Sequence, residues 1–454
     1  MSWTRDQARD LADRILAFSK ARECELTMRL AEDGHTRFAA NDITTSGSTR
    51  TLTVGITSRE GGKRGTTTVD ELDDDSLRRA VARSEALMAA AIPDPEQEEG
   101  LGPQDYPTIA GFDEATAAAS PILRRDGVKA ALDRARGRGL DASGFFENGA
   151  RWSAIANKKG NFGFHRSTSA GFSTTMRTSD GTGSGYAAAD SPRVADLVPP
   201  ALAERAAIKA ESSSHPRDLP PGRYTVILEP EAVSDLLGGL AFALNARSAD
   251  EGRSYLSKPG GGNRLGEKLF GDGVTLRSDP FDPRNPGNPW TSGGGRGGGL
   301  GFGGFGGNGS ALPAQKTTWI EAGVVKALAV DRYWAAKTKV EPIPFSGSLV
   351  MDGADRTLEA LIAETERALL VTRFWYIRVV NPQNTTVTGL TRDGVWLVEK
   401  GKIVHPVNNF RFNDSPVNLL KNLEATSLAV PAGSMIVPAI RARDFLFSSK
   451  SDAV

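Results

Sequence analysis

Apolar residues recur at helical spacing in two stretches near the start of the chain. Residues 6–21 place Leu11, Ile15 and Phe18 on one face with charged residues elsewhere, which predicts an amphipathic helix. A second helix is expected to begin at the acidic residues 73–75, because carboxylates stabilise the positive end of a helix dipole.

Between these helices the period changes to two. Apolar residues alternate with polar ones over 24–30 and again over 52–56, which predicts two strands of a sheet with one solvent-exposed face. A polar turn is expected over 41–48. Residues 1–91 are therefore predicted to form an N-terminal domain of helix, small antiparallel sheet and helix.

A second unit follows a segment rich in proline, glycine and acid. Residues 92–112 have a composition that buries little apolar surface, and we interpret them as a linker. Residues 113–215 then form a middle α+β domain. Its predicted elements are helices over 121–136 and 194–211 and strands over 145–155 and 162–176.

The third unit, 222–454, begins after a proline-rich boundary. A strand is expected over 224–228 and a buried helix over 231–245, where apolar residues crowd one face. Short strands and one helix should follow, the strands over 273–277, 323–330, 348–352, 375–380, 394–399 and 403–406 and the helix over 357–370. The whole pattern predicts an α+β fold in which helix/antiparallel-sheet domains precede a mostly β C-terminal domain with buried helices.

A glycine-rich insert interrupts this third unit. Twelve of the seventeen residues from 293 to 309 are glycine, and only Leu300, Phe302 and Phe305 are large and apolar. Because backbone entropy is high in such a segment, the sequence predicts a mobile loop.

Composition excludes several classes of protein. The 454 residues carry 55 basic and 55 acidic side chains, so no strong global field attracts nucleic acid or an anionic membrane. The single cysteine, Cys24, cannot form an internal disulfide. The charged start of the chain and the short apolar runs elsewhere favour a cytoplasmic protein over an exported or membrane-spanning one.

A search for catalytic residues finds little. The four histidines, at 35, 165, 215 and 405, have no histidine or cysteine partner at zinc-ligand spacing. Ser184 in Gly-Thr-Gly-Ser-Gly resembles a nucleophile elbow, but its turn-rich setting favours a hairpin. Glu229 and Glu231 flank Pro230 at a strand-to-helix junction, where capping of the helix is favoured over acid/base catalysis.

Two long blocks resemble the TldD/PmbA (TldE) family, once called modulators of DNA gyrase. The first runs from GRYTVILEPEAVSDLLGGLAFAL through EGRSYL and RLGEKL to VTLRSDP, within 222–280. The second, NPQNTTVTGLTRDGVWLVEKGKIVHPVNNFRF, covers 381–412 and is similar to the family's carboxy-terminal hairpins. Weaker likenesses in the first two units extend the resemblance over nearly the whole chain.

The resemblance implies a three-part α+β protein that pairs with a relative. TldD-type subunits carry zinc in HExxxH plus a distant cysteine, PmbA/TldE-type subunits lack it, and the pair resembles a protease that admits unfolded peptides into a cavity. Aligning Leu236 and Leu237 with the apolar residues before that motif puts its ligand and base positions at Gly238, Gly239 and Ala243. No catalytic residue and no metal or other cofactor is therefore expected in this chain, and zinc is expected in the partner subunit.

Three functions remain open after the sequence. The first is a non-catalytic PmbA/TldE-like subunit of a TldD-type zinc metalloprotease that processes unfolded peptides, in a heterodimer. The second is a stand-alone homodimeric peptide-binding or scaffold protein, and the third is an enzyme with unrecognised residues. Both dimers would hide aromatic residues of the third unit, although for each residue alone a place in the core is favoured: Trp375, Tyr376, Trp396 and Phe410.

Peptide docking is expected by strand addition next to residues 253–256. Arg253 would hold a substrate carboxylate or carbonyl, and Tyr255 and Leu256 would form the rest of the site. An equally favoured alternative pairs Arg253 with Glu251 or Glu267 and places Tyr255 and Leu256 in the core.

Overall fold

The computed structural model describes residues 3–291 and 311–451, so the glycine-rich insert at 293–309 lies outside the described residues. The first unit contains α1 (Arg5–Phe18), β1 (Glu23–Ala39), β2 (Asp42–Glu60), β3 (Lys63–Val69) and α2 (Asp74–Ala90). The second contains α3 (Glu114–Ala117), α4 (Pro121–Gly137), β4 (Leu140–Asn157), β5 (Phe162–Thr178), β6 (Ser184–Ser191), a 3₁₀ turn (Val194–Asp196) and α5 (Pro199–Ser212).

The third unit alternates short helices with strands. Its first part contains β7 (Gly222–Leu228), α6 (Pro230–Leu237), α7 (Leu240–Ala243), α8 (Ala246–Asp250), β8 (Leu276–Ser278), β9 (Thr317–Glu321), β10 (Val324–Val325), α9 (Arg332–Thr338), β11 (Leu349–Met351) and α10 (Leu358–Ala363). Its second part contains β12 (Arg367–Asn381), β13 (Thr386–Glu399), β14 (Lys402–Pro406), β15 (Asn409–Asp414), α11 (Pro416–Lys421), β16 (Leu423–Thr426), β17 (Val430–Ala432), β18 (Met435–Val437) and β19 (Ile440–Ser451).

The predicted α+β fold is confirmed, but the first two units are not separate sheets. They share one six-stranded antiparallel sheet in the order β3-β2-β1-β4-β5-β6. β1 of the first unit pairs with β4 of the second from Glu25↔Asn157 to Phe38↔Gly144. Helices α1 and α2 cover one end of this sheet, and α4 and α5 cover the other.

The turn between β1 and β2 is much tighter than the polar stretch 41–48 suggested. Ala40 and Asn41 alone connect the strands, both with positive φ (49° and 62°), as in a type I′ hairpin. The serines and threonines that follow continue β2 as a solvent-exposed ribbon. Most of the polar residues at 41–48 are exposed, as expected, but they belong to a strand and not to a turn.

The segment 92–112 contains neither helix nor strand, as expected, yet it packs against several parts of the fold. Asp94 donates its backbone N–H to Gly62, Glu96 pairs with Arg247, and Tyr106 donates its hydroxyl to the carbonyl of Ala311. Ile109 is buried. The segment thus ties the N-terminal sheet to the third unit.

The third unit is built around a barrel. Five strands follow each other in the order β12-β7-β19-β15-β13, and pairing of β12 with β13 closes the ring. A second sheet, β10-β9-β8-β11-β18-β17, packs beside it, and both contribute to one hydrophobic core. In the described part of the chain, no helix combines the length and apolar character of a membrane span.

Two predicted helices of this unit are wrong in extent. The helix expected over 357–370 ends at Ala363, and residues from Arg367 onward enter the barrel, where Leu369 pairs with Val226 of β7. An apolar run buried on both sides has the same composition in a strand as in a buried helix, so periodicity could not separate them. The helix expected over 231–245 is buried but breaks at Gly238 and Gly239.

Candidate functional site

The helix break marks the region where the resemblance places the HExxxH motif. Gly238 still donates its N–H to Ser234, four residues back, but Gly239 donates to Leu236, three residues back, each at 3.3 Å. Two adjacent glycines favour such a change because each lowers the stability of a helix interior. Both glycines keep right-handed helical φ and ψ, and the interruption is in the hydrogen bonding; Gly239 directly precedes α7 and Ala243 is its last residue.

A cavity of about 700 Å³ lies beside this break. Gly239 and Ala243 form part of its wall, together with α8, the loop at Arg253 and the tip of the β12–β13 hairpin. We call it the barrel cavity. Its remaining lining residues are Phe242, Asn245, Arg247, Ser248, Ser254, Asp331, Val379, Asn381, Pro382, Gln383, Thr385 and Val387.

The charged residues of the barrel cavity are already paired. Arg247 makes two hydrogen bonds to the Glu96 carboxylate, at 2.7 and 2.8 Å, and a third to Glu251 at 3.0 Å. These bonds hold the pKa of Glu96 below its usual range, and bonding to Arg253 and Arg247 does the same for Glu251. Asp331 caps α9 through the N–H of Trp334.

The cavity wall therefore offers shape and hydrogen bonds but no acid, base or nucleophile poised for catalysis. Thr385 contributes a buried hydroxyl without a hydrogen-bond partner among the described residues. Gln383 donates to the carbonyl of Gly252 at 3.3 Å and so links the hairpin tip to the Arg253 loop. Such a surface can hold a ligand by shape and hydrogen bonding.

The family's zinc site does not fit the residues present. Gly238, Gly239 and Ala243 have no side-chain atom that binds a metal. Over residues 3–291 and 311–451, no group of three or more histidine, cysteine, aspartate or glutamate side chains could hold a metal ion. The chemistry of the donor set is therefore incompatible with HExxxH-type coordination at this position.

The structure separates the three residues predicted to bind substrate. Arg253 lines the barrel cavity, but its guanidinium also contacts Glu251 at 2.5 Å. Tyr255 packs between the cationic groups of Arg264 and Lys421, and Leu256 is buried in the core. The Arg253–Glu251 pair and the buried Leu256 agree with the alternative interpretation, and Tyr255 is only partly buried against the core. Arg253 is the only one of the three at the cavity.

Residues 253–256 themselves offer no free sheet edge to which a peptide strand could add. Its residues form turns, and their backbone donors are used internally: Arg253 donates to Ser248, and Leu256 to the hydroxyl of Ser254. Ser257 likewise donates to the carbonyl of Ser254. An incoming peptide would find no row of unpaired donors and acceptors there.

The other candidate residues have structural roles. Ser184 begins β6 after a short hairpin loop, which confirms the hairpin, and its hydroxyl donates to Asp393 at 2.5 Å. Glu229 occupies the position before α6 but makes no side-chain capping bond, whereas Glu231 lies in the first turn, where a carboxylate stabilises the helix dipole. The Glu229 carboxylate instead accepts from Lys209 at 2.6 Å.

Sequence analysis missed a buried polar network between the N-terminal sheet and the barrel. Arg373 of β12 contacts Asp393 of β13 at 2.5 Å and stacks on the Tyr186 ring of β6 at 3.8 Å. Nearby on α6, desolvation raises the pKa of Asp235 to about 7 and also raises that of Glu231. These residues lie far apart in sequence and follow no motif, so no local signal could have found them.

The aromatic residues expected at a dimer surface divide into two pairs. Trp396 and Phe410 are buried in the core. Trp375 and Tyr376 are 44% and 56% exposed on β12, where they contact each other and stack against Arg392 and Arg378. β12 also contributes Val379 to the barrel cavity, so the exposed pair and the cavity share a strand.

Sequence profiles of three PmbA/TldA metallopeptidase domains match the chain in order. Domain 1 matches residues 30–88, the central domain 112–213 and the C-terminal domain 221–449. No curated protein sequence matches.

Solved structures of similar fold cover nearly the whole chain. TldE from Thermococcus kodakarensis is 18% identical, with a TM-score of 0.83 over 97% of this chain and 99% of its own. Two proteins assigned as modulators of DNA gyrase are similar. The protein from Bacteroides thetaiotaomicron is 19% identical, with a TM-score of 0.82 over 98% of this chain and 99% of its own. The protein from Thermotoga maritima is 18% identical, with a TM-score of 0.81 over 96% of this chain and 99% of its own.

Proposed function

The chain belongs to the PmbA/TldD metallopeptidase family, and on that premise we propose that it is a non-catalytic, TldE-like subunit of a TldD-type zinc metalloprotease complex. In this role it contributes cavity wall and peptide-docking surface, while a partner subunit supplies HExxxH and zinc. The complex would process unfolded peptides.

One observation carries this proposal: the barrel cavity is present at the motif position, but its wall there is glycine and alanine. Gly239 and Ala243 line a space of about 700 Å³, which is within the usual range for a ligand pocket of roughly 300–1,000 Å³. A chain that keeps the space and lacks the ligand atoms is suited to binding a peptide beside another subunit's metal.

The test is reconstitution with an HExxxH-bearing relative from the same genome. We expect the chain alone to hold no stoichiometric zinc after dialysis against a weak chelator and to leave an unfolded casein substrate intact. The mixture should contain zinc and cleave the substrate. The control is the same mixture with the partner's HExxxH glutamate replaced by glutamine, which should assemble without cleaving.

Two results would contradict the proposal. Zinc at one equivalent per chain together with cleavage by the chain alone would make it an enzyme. A homodimer that is stable by light scattering and binds no HExxxH-bearing relative would favour the stand-alone binding or scaffold protein instead.

A matched pair of variants tests the partner surface. The double variant Trp375→Ser, Tyr376→Ser should weaken assembly, and Leu265→Ser, at a residue that is also exposed but distant in sequence, should not.

Arg253 is the residue of this chain that we propose to hold substrate in the barrel cavity. Arg253→Ala should lower cleavage by the reconstituted complex about tenfold, as expected for losing one hydrogen bond to a charged group. Arg264→Ala is the control, because Arg264 stacks on Tyr255 and does not line the cavity. Full activity in Arg253→Ala with normal assembly would place peptide docking elsewhere.

A further inference from the structure

The strand β5 of the N-terminal sheet has a free edge along half of its length. β4 pairs with β5 from residue 162 to residue 178, but β6 covers its other side only from Ala170 to Arg177. Over residues 162–169 no described strand pairs with this second side. Exposed edges of this kind usually carry a protective feature, and here it is a loop.

The loop is residues 104–112, and it is fastened to the edge at two points. The N–H of Gln104 donates to the side-chain oxygen of Asn161 at 3.2 Å, and the N–H of Thr168 donates to the carbonyl of Gly111 at 2.8 Å. Between these points a cavity of about 430 Å³ lies between loop and strand. We call it the edge cavity.

The backbone of β5 presents hydrogen-bonding groups to the edge cavity. The bond from Thr168 to Gly111 shows that the N–H of residue 168 points away from β4. In an antiparallel strand every second residue directs its N–H and C=O to the same side. Since the register with β4 has no bulge, the backbone groups of Phe164 and Arg166 also point outward.

Aromatic packing keeps the loop at a fixed distance from the strand. Trp290 lies against Tyr106 edge to face, with centroids 5.4 Å apart, and rests on β5 at Gly163, where a Cβ would come within 2.9 Å of its ring. The Tyr106 hydroxyl accepts from Asn161 at 2.8 Å and donates to the Ala311 carbonyl at 2.7 Å. The edge cavity is therefore preformed, which lowers the entropic cost of binding.

Side chains at the edge cavity favour an anionic group. Arg5 stacks on the Phe162 ring at 5.3 Å, and no carboxylate within residues 3–291 and 311–451 forms an ion pair with it. Arg166 contacts one carboxylate, that of Glu114, at 3.0 Å. The only acidic residue of the lining is Asp105, which is exposed.

His165 adds a buried hydrogen-bonding atom to the edge cavity from the opposite face of β5, where its ring lies against Trp290. Its side chain is 7% exposed, it lines the edge cavity, and its Nε2 has no hydrogen-bond partner in the described part of the chain. Burial lowers the pKa of His165 to about 4, so the ring is neutral at pH 7. Buried polar atoms are nearly always paired, and one left unpaired at a cavity wall points to a ligand.

We propose that the edge cavity binds the carboxyl-terminal end of an extended peptide. The peptide adds as a short strand to β5 at Phe164 and Arg166, and its carboxylate lies against the guanidinium groups of Arg5 and Arg166. His165 Nε2 completes the site by a hydrogen bond to the peptide. Main-chain pairing gives affinity without a sequence requirement, and the two arginines select a chain end. This binding needs neither zinc nor a partner subunit, so it can fail while the proposed function holds.

The experiment compares two peptides that differ only at the carboxyl terminus, acetyl-Ala-Ala-Leu as the free acid and as the amide. Each is titrated into the full-length chain by calorimetry, and histidine side-chain NMR reports on His165, one of only four histidines. We expect the acid to bind at least about tenfold more tightly than the amide and to shift the His165 signal.

A matched pair of arginine variants tests the carboxylate contact. Arg5→Gln should lower the affinity for the free-acid peptide about tenfold and leave the affinity for the amide unchanged. Arg9→Gln is the control, because Arg9 stacks on the same Phe162 ring at 4.1 Å, one turn along α1, but does not line the edge cavity. His165→Phe keeps a ring beside Trp290 and should lower affinity without lowering the melting temperature.

Three outcomes would overturn the proposal. Equal affinity for the acid and the amide would show that the carboxylate makes no contact with the arginines. The absence of saturable binding for both peptides would show that the edge cavity is not a peptide site. Tighter binding of inorganic phosphate than of the peptide acid would leave an anion site without strand addition. Arg5 is exposed, so its variant keeps the test valid even where His165→Phe fails to fold.

Discussion

Replacing Asp393 tests whether the buried network holds the barrel to the N-terminal sheet. Asp393 is 0% exposed, and it accepts hydrogen bonds from Arg373 Nε at 2.6 Å and from the Ser184 hydroxyl at 2.5 Å. Asp393→Asn removes the charge and keeps the shape. It also tolerates the left-handed backbone at this position, where φ is 57°.

The expected cost follows from leaving Arg373 without its partner. Breaking a buried ion pair by removing one member costs about 3–5 kcal/mol. Because the Arg373 side chain retains 21% exposure, the lower end applies, and we expect a loss of about 3 kcal/mol in the free energy of unfolding. Asp393→Ala should cost about 1 kcal/mol more, since alanine disfavours positive φ.

The assay is urea unfolding, combined with thermal melting. A loss of about 3 kcal/mol corresponds to a fall of about 6–12 °C for a unit the size of residues 222–454. Arg373→Met, alone and combined with Asp393→Asn, completes a double-mutant cycle. The control is Glu399→Gln, which breaks the exposed Arg367–Glu399 pair between the same strands and should cost less than about 1 kcal/mol. A loss below about 1 kcal/mol for Asp393→Asn would refute the reasoning.

Two further predictions concern stability. Burial raises the pKa of Asp235 to about 7 from 3.8 unfolded, so this carboxyl stabilises the fold fully below about pH 4, and that contribution is lost as pH rises through 7. Asp235→Asn should flatten this part of a stability-against-pH curve, and an unchanged curve would contradict the assignment. Gly34→Ala should cost about 1–3 kcal/mol because its Cβ would overlap the buried Arg124 guanidinium. Gly137→Ala, in α4 with open space around it, should instead gain about 0.4–1 kcal/mol, and melting temperatures compare the two.

Local pattern predicted the elements of the N-terminal sheet well. The helix at 6–21 and the acidic start at 73–75 correspond to α1 and α2, and the structure adds side-chain caps at Thr4 and Asp73. The pattern could not show that β1 and β4 are neighbours, because pairing across a hundred residues leaves no periodic trace. The helix expected over 357–370 was too long because runs apolar on all sides look alike in a helix and a strand, whereas the one expected over 231–245 is interrupted by two adjacent glycines.

The candidate site was predictable only through the family resemblance. The resemblance aligned Gly239 and Ala243 with the HExxxH motif, and the structure puts both residues on the wall of the barrel cavity. Arg253 reached the same cavity, but its neighbours Tyr255 and Leu256 did not, because a turn rather than a strand sets their directions. Neither the edge cavity nor the Arg373–Asp393 network could be foreseen, since each depends on segments brought together from different units.

The sheet shared by the first two units has a consequence for biosynthesis. β1 cannot complete its pairing until β4 has been made, and the last residue of that partner, Asn157, lies 118 positions beyond Ala39. At about 5–20 residues per second, the ribosome takes roughly 6–24 s to supply it. During that interval β1 and β2 form a nascent ribbon with one open side, a target for chaperones while the chain is still being translated.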